Sequence, residues 1–442
     1  MAFKEFPIII VNILNSDEIM SDTSKSKRKE ILSWCMYDWA NSAFATTVMA
    51  AVLPVYYSRV AGSTLPGNTA TAYWGYTTAI ALLITALLSP VMGAIADYSG
   101  VKKKLLMTFA AIGIFATGLL YFVTTGDWFM ASLFFIIGNV GFATSEVFYN
   151  SLLPEVAGPD NIDQVSTKGY ALGYLGGGIL LGLNVLMIEL MSDKMLASRL
   201  SFVTVSIWWA FFTIPIIKNV REPEVKKTIG IYTNPVSAGF KRLAATFKDL
   251  KNYRQLFLFL IAFWIYNDGI GTIIKMATIY GAEIGIDETS LIGALLMTQF
   301  VGIPFAFAFG RLARHLGTKN SILLGLFVYT MISIGGYFMK TALHFWILAF
   351  LVGTVQGGTQ ALSRSLFGSM LPKSKTCEFY GFYGMSSKFA GIAGPLVFAV
   401  VTQLAGASRL SILSLIVFFI LGAFLLYRVN EKEGIRIAQE SN

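Results

Sequence analysis

The stretch Gly93-Ala94-Ile95-Ala96-Asp97-Tyr98-Ser99-Gly100-Val101-Lys102-Lys103-Lys104 separates two long apolar runs, and it returns in part as Gly310-x-x-x-Arg314-x-x-Gly317-x-Lys319. Glycines at these positions suit a tight turn, because a residue without Cβ adopts positive φ at no steric cost. An acid and a run of lysines beside such a turn suit a membrane face, where ion pairs can hold helices together. Two further echoes share the same order. Ala197-Ser198-Arg199-Leu200-Ser201 recurs as Ala407-Ser408-Arg409-Leu410-Ser411, and Trp128 with Leu153-Pro154 recurs as Trp346 with Leu371-Pro372 at one common offset. Three ordered matches argue for two related halves.

The apolar runs around these markers predict twelve helices. We number them α1 (31–58), α2 (70–96), α3 (104–124), α4 (128–151), α5 (166–190), α6 (198–218), α7 (254–281), α8 (288–311), α9 (319–340), α10 (343–367), α11 (379–403) and α12 (409–429). At 1.5 Å per residue each crosses about 30 Å of hydrocarbon. Continuous apolar runs without period-2 alternation argue against a β-barrel. The expected organisation is an N-terminal tail (1–30), a six-helix bundle (31–218), a linker (219–253), a second six-helix bundle (254–429) and a tail (430–442). Met20 is an alternative start, with Lys25–Lys29 as an anchor.

Composition agrees with this reading. Of 442 residues, 55% are hydrophobic and 13% are charged, against about 25% charged in an ordinary soluble domain. This excludes a soluble enzyme and a disordered chain. It also excludes a nucleic-acid binder, despite the net charge of +9. With both termini placed in the cytoplasm, inside segments hold 27 of the 34 Lys and Arg, and outside loops hold five. The basic excess is therefore topology and lipid contact. Two cysteines and two histidines are too few for a disulfide framework or a zinc site, and no cofactor is called for. Compact loops fit a bacterial plasma membrane, and a monomer is expected.

The linker's second part reads as an amphipathic surface helix. Asn234 caps it, Pro235 suits its first turn, and Val236, Phe240, Leu243, Phe247 and Leu250 form one stripe.

The segment from Gly93 to Lys104 resembles the loop signature of the major facilitator superfamily. Two further stretches narrow the match: Tyr37-Asp38-Trp39-Ala40-Asn41-Ser42-Ala43-Phe44 in α1 and Gly169-Tyr170-Ala171-Leu172-Gly173-Tyr174-Leu175-Gly176-Gly177-Gly178 in α5. Both look like its vacuole-effluxer-like branch, the autophagy-related vacuolar amino-acid exporters and their bacterial relatives. The resemblance covers essentially the whole chain from about residue 31. It implies the major facilitator fold, transport by alternating access, and a switching role for Gly93, Asp97 and Gly100. The second loop departs, with Arg314 where an acid would stand, and no role is carried to it.

Ionisable groups inside spans are costly and point to function by default. The resemblance expects α1, α4, α7 and α10 to line a cavity, and each carries a one-faced polar stripe. These are Asp38 and Asn41 in α1; Asn139, Glu146 and Asn150 in α4; Asp268, Thr272 and Lys275 in α7; and Gln356, Gln360 and Arg364 in α10. Glu146 and Arg364 occupy equivalent repeat positions near the inner ends, so an inner gate or ion pair is favoured over solute contact. Asp38 belongs either to that inner network or to the site. Asp268 and Lys275 are the binding candidates for opposite ends of a zwitterion, the alternative being a structural charge pair without solute contact. Asp268 is also a seat for a coupling proton. Lys388 pairs with either Asp38 or Glu146. Trp39, Trp264 and Tyr266 offer apolar walls. The glycines of α5 and α11 favour close helix packing.

The function expected is secondary active transport of a small polar solute, with amino acids and efflux suggested by the resemblance and protons as a coupling ion. A drug or lipid exporter of the same fold, a membrane-embedded enzyme and a non-transporting receptor are the alternatives. The enzyme would need a cluster of His, Cys or acids at one face, and the sequence supplies none.

Overall fold

In the computed structural model, residues 25–66, 69–222, 253–405 and 408–440 are described. The expected amphipathic linker helix and the first 24 residues lie outside them, as do the side chains of Lys275 and Lys388. The helices are α1 Lys25–Ala61, α2 Thr69–Ser99, α3 Lys102–Leu119, α4 Trp128–Ser151, α5 Ile162–Leu190, α6 Lys194–Asn219, α7 Arg254–Glu283, α8 Glu288–Leu316, α9 Thr318–Tyr337, α10 Ala342–Ser369, α11 Thr376–Ala405 and α12 Ser408–Arg428. By length and composition, eleven stretches among the described residues can cross a membrane, one in each of α1–α10 and α12. α11 has 30 residues.

The two largest of four hydrophobic clusters among the described residues are built on Trp34, Phe44, Phe142, Phe202 and Trp209, and on Phe259, Phe263, Tyr329, Phe367 and Phe419. They correspond to the two halves of the repeat. Outward faces carry exposed apolar side chains such as Leu87, Phe115, Ile207, Phe327 and Val417. In water such a surface would be sticky; in hydrocarbon it is matched, provided the backbone satisfies itself within helices.

The repeated turns are alike in backbone. Gly100 has φ 65° and Gly317 has φ 84°, left-handed values that favour glycine. Lys103 Nζ donates to the Val220 carbonyl at 2.6 Å, beyond the end of α6, and Lys319 Nζ to the Val429 carbonyl at 2.9 Å, beyond the end of α12. Each of the two turns thus supplies a cation to the end of the last helix of its own half, from Lys103 in the first and from Lys319, which aligns with Lys102, in the second; the backbone there carries partial negative charge.

Three features differ from the sequence reading. α1 begins at Lys25 rather than residue 31, because polar contacts extend it past the apolar run: Lys27 pairs with Glu30 at 2.9 Å and donates to the Glu155 carbonyl at 3.1 Å. Within α1, wide π-type turns cover Phe44–Val52 and Tyr57–Ala61. They bracket Pro54, which lacks an N–H and crowds the preceding turn, so the helix absorbs it by widening. The segment read as a C-terminal tail holds a helix, α13 Glu431–Glu440. It docks on the start of α7, where the Asn430 backbone N–H and the Gln255 side chain exchange contacts with Gln255 and Glu433 at 2.9 and 2.7 Å.

Between the halves, α2 packs along α11, α5 along α8 and α10, and α4 against α11. The turn residues Gly100 and Gly317, the start of α1 and the end of α12 share one side of the bundle, called here the basic face.

Candidate functional site

The site begins with the glycines of α5. A Cβ on Gly169 would lie 2.5 Å from Asp38 Oδ2, one on Gly173 2.7 Å from Ser42 Oγ, and one on Gly176 2.5 Å from the Trp39 carbonyl. No side chain fits at these positions without displacement, so α5 lies directly on α1. This packing brings Asp38 beside the first turns of α5.

Into this corner reaches Arg364 of α10, from the other bundle. Its Nη1 lies 3.1 Å from Asp38 Oδ2 and 3.3 Å from Asn150 Oδ1. Its Nε donates to Ser166 Oγ at 2.9 Å, and Nη2 to the Ser166 carbonyl at 2.8 Å. Tyr149 donates to the same Asp38 oxygen at 2.7 Å. The guanidinium carbon lies over the rings of Tyr170, Trp34 and Tyr149, at 4.4, 5.0 and 5.7 Å from their centroids. Arg364 is 3% exposed and Asp38 8%. A buried charge pair is tolerable only when its remaining hydrogen-bonding positions are filled, and the planar fork of arginine is what fills them here. The nest draws on α1, α4 and α5 of one half and α10 of the other.

A second contact between halves lies at the turn Gly93–Lys104. Asp97 Oδ2 accepts the backbone N–H of Glu378 at 2.8 Å, in the first turn of α11, and Oδ1 lies 3.1 Å from Lys102 Nζ. Lys102 also donates to Thr376 Oγ1 at 2.5 Å. A carboxylate at a helix N-terminus satisfies an orphan donor and meets the positive end of the dipole. Gly93 lets the backbones touch: a Cβ there would be 2.3 Å from the Cys377 carbonyl oxygen.

The other expected residues are less gathered. Glu146 is half-buried on the stripe of Asn150. Arg364 pairs with Asp38, and Asn150 joins that pair. Asp268 is buried in α7 against α11, where a Cβ on Gly394 would lie 3.0 Å from its Oδ1; Thr272 donates back to its carbonyl. Trp264, one turn earlier, is 44% exposed. Asn41 and Asn139 are buried, and both side-chain atoms of the Asn139 amide lack a hydrogen-bond partner among the described residues. Gln360 is half-buried. Gln356 lines a cavity of about 120 Å³ in the second bundle, with Thr298, Gln299, Ala277, Ala349 and Val352 among its walls. Those walls are mostly apolar.

Sequence reasoning did not single out Trp34, Tyr149, Ser166 or Tyr170. The polar partners carry no charge, so a search for ionisable groups within spans passes over them. Their signal was the proximity of Ser166 and Tyr170 to Gly169, whose spacing marked where another helix approaches.

The geometry is matched by kinship. The vacuole effluxer Atg22-like family matches residues 63–163 and 159–439. The chain belongs to this family. It is 42% identical to the uncharacterized MFS-type transporter YxiO of Bacillus subtilis (strain 168), over 94% of this chain and 98% of that one. It is 22% identical to autophagy-related protein 22-1 of Aspergillus niger, over 94% and 91%. Among solved structures, the proton:xylose symporter XylE bound to 6-bromo-6-deoxy-D-glucose superposes with a TM-score of 0.73 at 13% identity, covering 94% of this chain and 99% of that one. The fold is therefore that of the major facilitator superfamily, and the protein is a multi-pass membrane protein of transporter type. This Atg22-like chain matches its relatives over nearly their full lengths.

Proposed function

We propose that this Atg22-like protein is a secondary active transporter that carries a small polar or zwitterionic solute by alternating access, with amino acids as the first class to test. The observation that carries the reading is Arg364. It leaves its own bundle and is buried among α1, α4 and α5 of the other. A charge held across a bundle interface by so many contacts has the properties of a gate, since separating the bundles must break them together. We read the state described here as closed on the basic face. The contacts between α5 and α8 run from Thr167 against Gly310 to Gly178 near Phe300, whereas Leu183, Leu186 and Leu190 further along α5 are exposed.

In this reading Asp38, Glu146, Arg364, Asp97, Gly93, Gly100 and Lys388 serve the gate. Asn41, Asn139, Trp264, Asp268, Lys275, Gln356 and Gln360 serve the solute. Asp268 takes an ammonium group or a coupling proton, and Lys275 a carboxylate. The charge bias and the Bacillus relative support a bacterial plasma-membrane location with the basic face cytoplasmic. The family's description as effluxers favours export. We assign no enzymatic role, in keeping with transporter relatives. The apolar walls around Gln356 favour a second reading, a solute with an apolar portion or a drug-like compound.

Counterflow of a labelled amino-acid pool into liposomes tests this, comparing the parent with Asp268→Asn and Arg364→Lys. Saturable exchange that is lost in Asp268→Asn and slowed about tenfold in Arg364→Lys supports the reading. Exchange by none of the three, with folded protein, removes amino acids and directs the search to more apolar solutes.

A further inference from the structure

The turn between α8 and α9 repeats the glycines of the α2–α3 turn but has Arg314 in the place of Asp97, and Arg314 is exposed. On sequence the second turn therefore lacks the acid that bridges the bundles in the first. In space the acid is present, contributed by the opposite side of the interface. Asp163, in the first turn of α5, accepts from Ser365 Oγ of α10 at 2.5 Å through Oδ1, and from Thr318 Oγ1, at the start of α9, at 2.6 Å through Oδ2. Both donors belong to the other bundle.

The two contacts are otherwise equivalent. Gly93 presses on the first turn of α11, where a Cβ would meet the Cys377 carbonyl oxygen; Gly310 presses on the first turns of α5, where a Cβ would be 2.5 Å from Thr167 Oγ1. In each, a repeat glycine brings a turn onto the start of a helix in the other half, and a carboxylate joins the two. In the first the turn supplies the acid and the helix supplies the donor. In the second the helix supplies the acid and the turn supplies the donor. We propose that Asp163 is a gating residue, the acid of a second latch that holds the basic face closed together with Asp97 and Arg364. The inference rests on the alternating-access reading. A carboxylate bonded by two hydroxyls has charge-assisted bonds on both oxygens. It has no such bonds from Ser365 and Thr318 once the bundles part, so it favours the closed state alone.

The chain carries its own reporters. Cys377 is fully buried at the bundle interface, its Sγ donating to Ser151 Oγ of α4 at 2.8 Å. Cys35 is fully buried inside the first bundle, its Sγ near the Val165 carbonyl at 3.8 Å. Rigid bundles that part at the basic face expose Cys377 and leave Cys35 covered. The experiment is alkylation of the purified full chain in liposomes by N-ethylmaleimide, with each cysteine followed by mass spectrometry.

Thr318→Val is expected to raise the Cys377 rate by about tenfold, the population change carried by one lost charge-assisted hydrogen bond, and Asp163→Ala, which loses two, by more, with Cys35 unreactive. Thr318→Val leaves the acid in place and guards against a folding defect in Asp163→Ala. Asp97→Asn is the reference. If it raises the Cys377 rate and neither of the other variants does, the Asp163 latch is overturned and alternating access stands. If no variant changes the rate, the two-state reading falls with it. If both cysteines react faster together in Asp163→Ala and Thr318→Val, the contact is ordinary packing and the proposal is again overturned.

Discussion

Arg364 and Asp38 meet across the interface between the two bundles, Nη1 to Oδ2 at 3.1 Å, with the guanidinium also bonded to Asn150 and twice to Ser166. Such a pair is not a simple source of stability. Desolvation of two charges offsets most of their attraction, but removing one partner leaves the other buried and uncompensated. Arg364→Gln is therefore expected to destabilise the closed protein by about 3–5 kcal/mol, and Asp38→Asn by a comparable amount. The double variant should cost less than the sum, with a coupling of roughly 1–3 kcal/mol for groups in one network. Thermal unfolding in detergent of the four proteins checks this. Simple additivity would mean that the contact carries no energy of its own.

Arg364→Lys keeps the charge and loses the fork. A single ammonium cannot reach Asp38, Asn150 and Ser166 together or lie flat over Tyr170. We expect the melting temperature to fall less than in Arg364→Gln and the exchange rate to drop by about tenfold. Full activity in Arg364→Lys would reduce the residue to a positive charge and remove the geometric account of the gate.

Gly93 offers a test that involves no charge. Its missing Cβ would sit 2.3 Å from the Cys377 carbonyl oxygen, which is backbone and cannot rotate away. Gly93→Val is expected to push α2 off α11 and bias the protein toward an open basic face. Overpacking of this kind costs about 1–3 kcal/mol. Gly75→Val is the control, since no atom lies within 4 Å of a Cβ at that position. Accessibility of Cys377 should rise in the first and stay at the parent value in the second.

How far the sequence foretold this arrangement depends on what kind of residue carried each part. The fold was legible because long apolar runs and a repeated Gly-x-Lys turn leave few alternatives, and Gly100 and Gly317 adopt the left-handed backbone that the turn requires. Asp38, Asp97 and Arg364 were legible because a charge within or beside a span is rarely idle. Asp163 was not. At the start of a helix it reads as an ordinary N-terminal acid, and its donors, Thr318 and Ser365, lie far along the chain. The α1 start was missed for a related reason: the contacts that extend the helix to Lys25 are polar and come from Glu30 and Glu155. The pairing of halves gives each of these residues its meaning, and hydropathy along one chain segment does not contain it.

Asn139 separates stability from function. It is 1% exposed, and neither atom of its amide has a protein partner among the described residues. A buried polar group without a partner costs about 1–3 kcal/mol, so a residue retained for stability alone would be better replaced. Asn139→Leu, similar in size and apolar, is expected to raise the melting temperature and to lower exchange. A lower melting temperature would show that the amide is paired in the folded protein and is structural.

The cavity beside Gln356 gives the last test, because it distinguishes a packing void from a place for part of the solute. About 120 Å³ of mostly apolar space is enough for a side-chain-sized group. Filling an empty void in a core improves packing, since the lining atoms gain contacts they lacked. Ala349→Leu projects into this space. If the cavity is a void, the variant is more stable and its exchange kinetics match the parent. If the cavity receives the apolar portion of the solute, the variant raises KM by about tenfold with kcat little changed, the signature of lost ground-state binding. Gln356→Leu then shows the same pattern, because its amide is a polar contact at the edge of the cavity. We expect the second outcome. Gln356 lines the cavity while its neighbour Gly357 packs on Tyr174 of α5, where a Cβ would be 2.6 Å from the ring. The wall that Gln356 gives the cavity is thus one residue from the packing of α10 on α5, which favours a place within reach of a solute passing between the bundles.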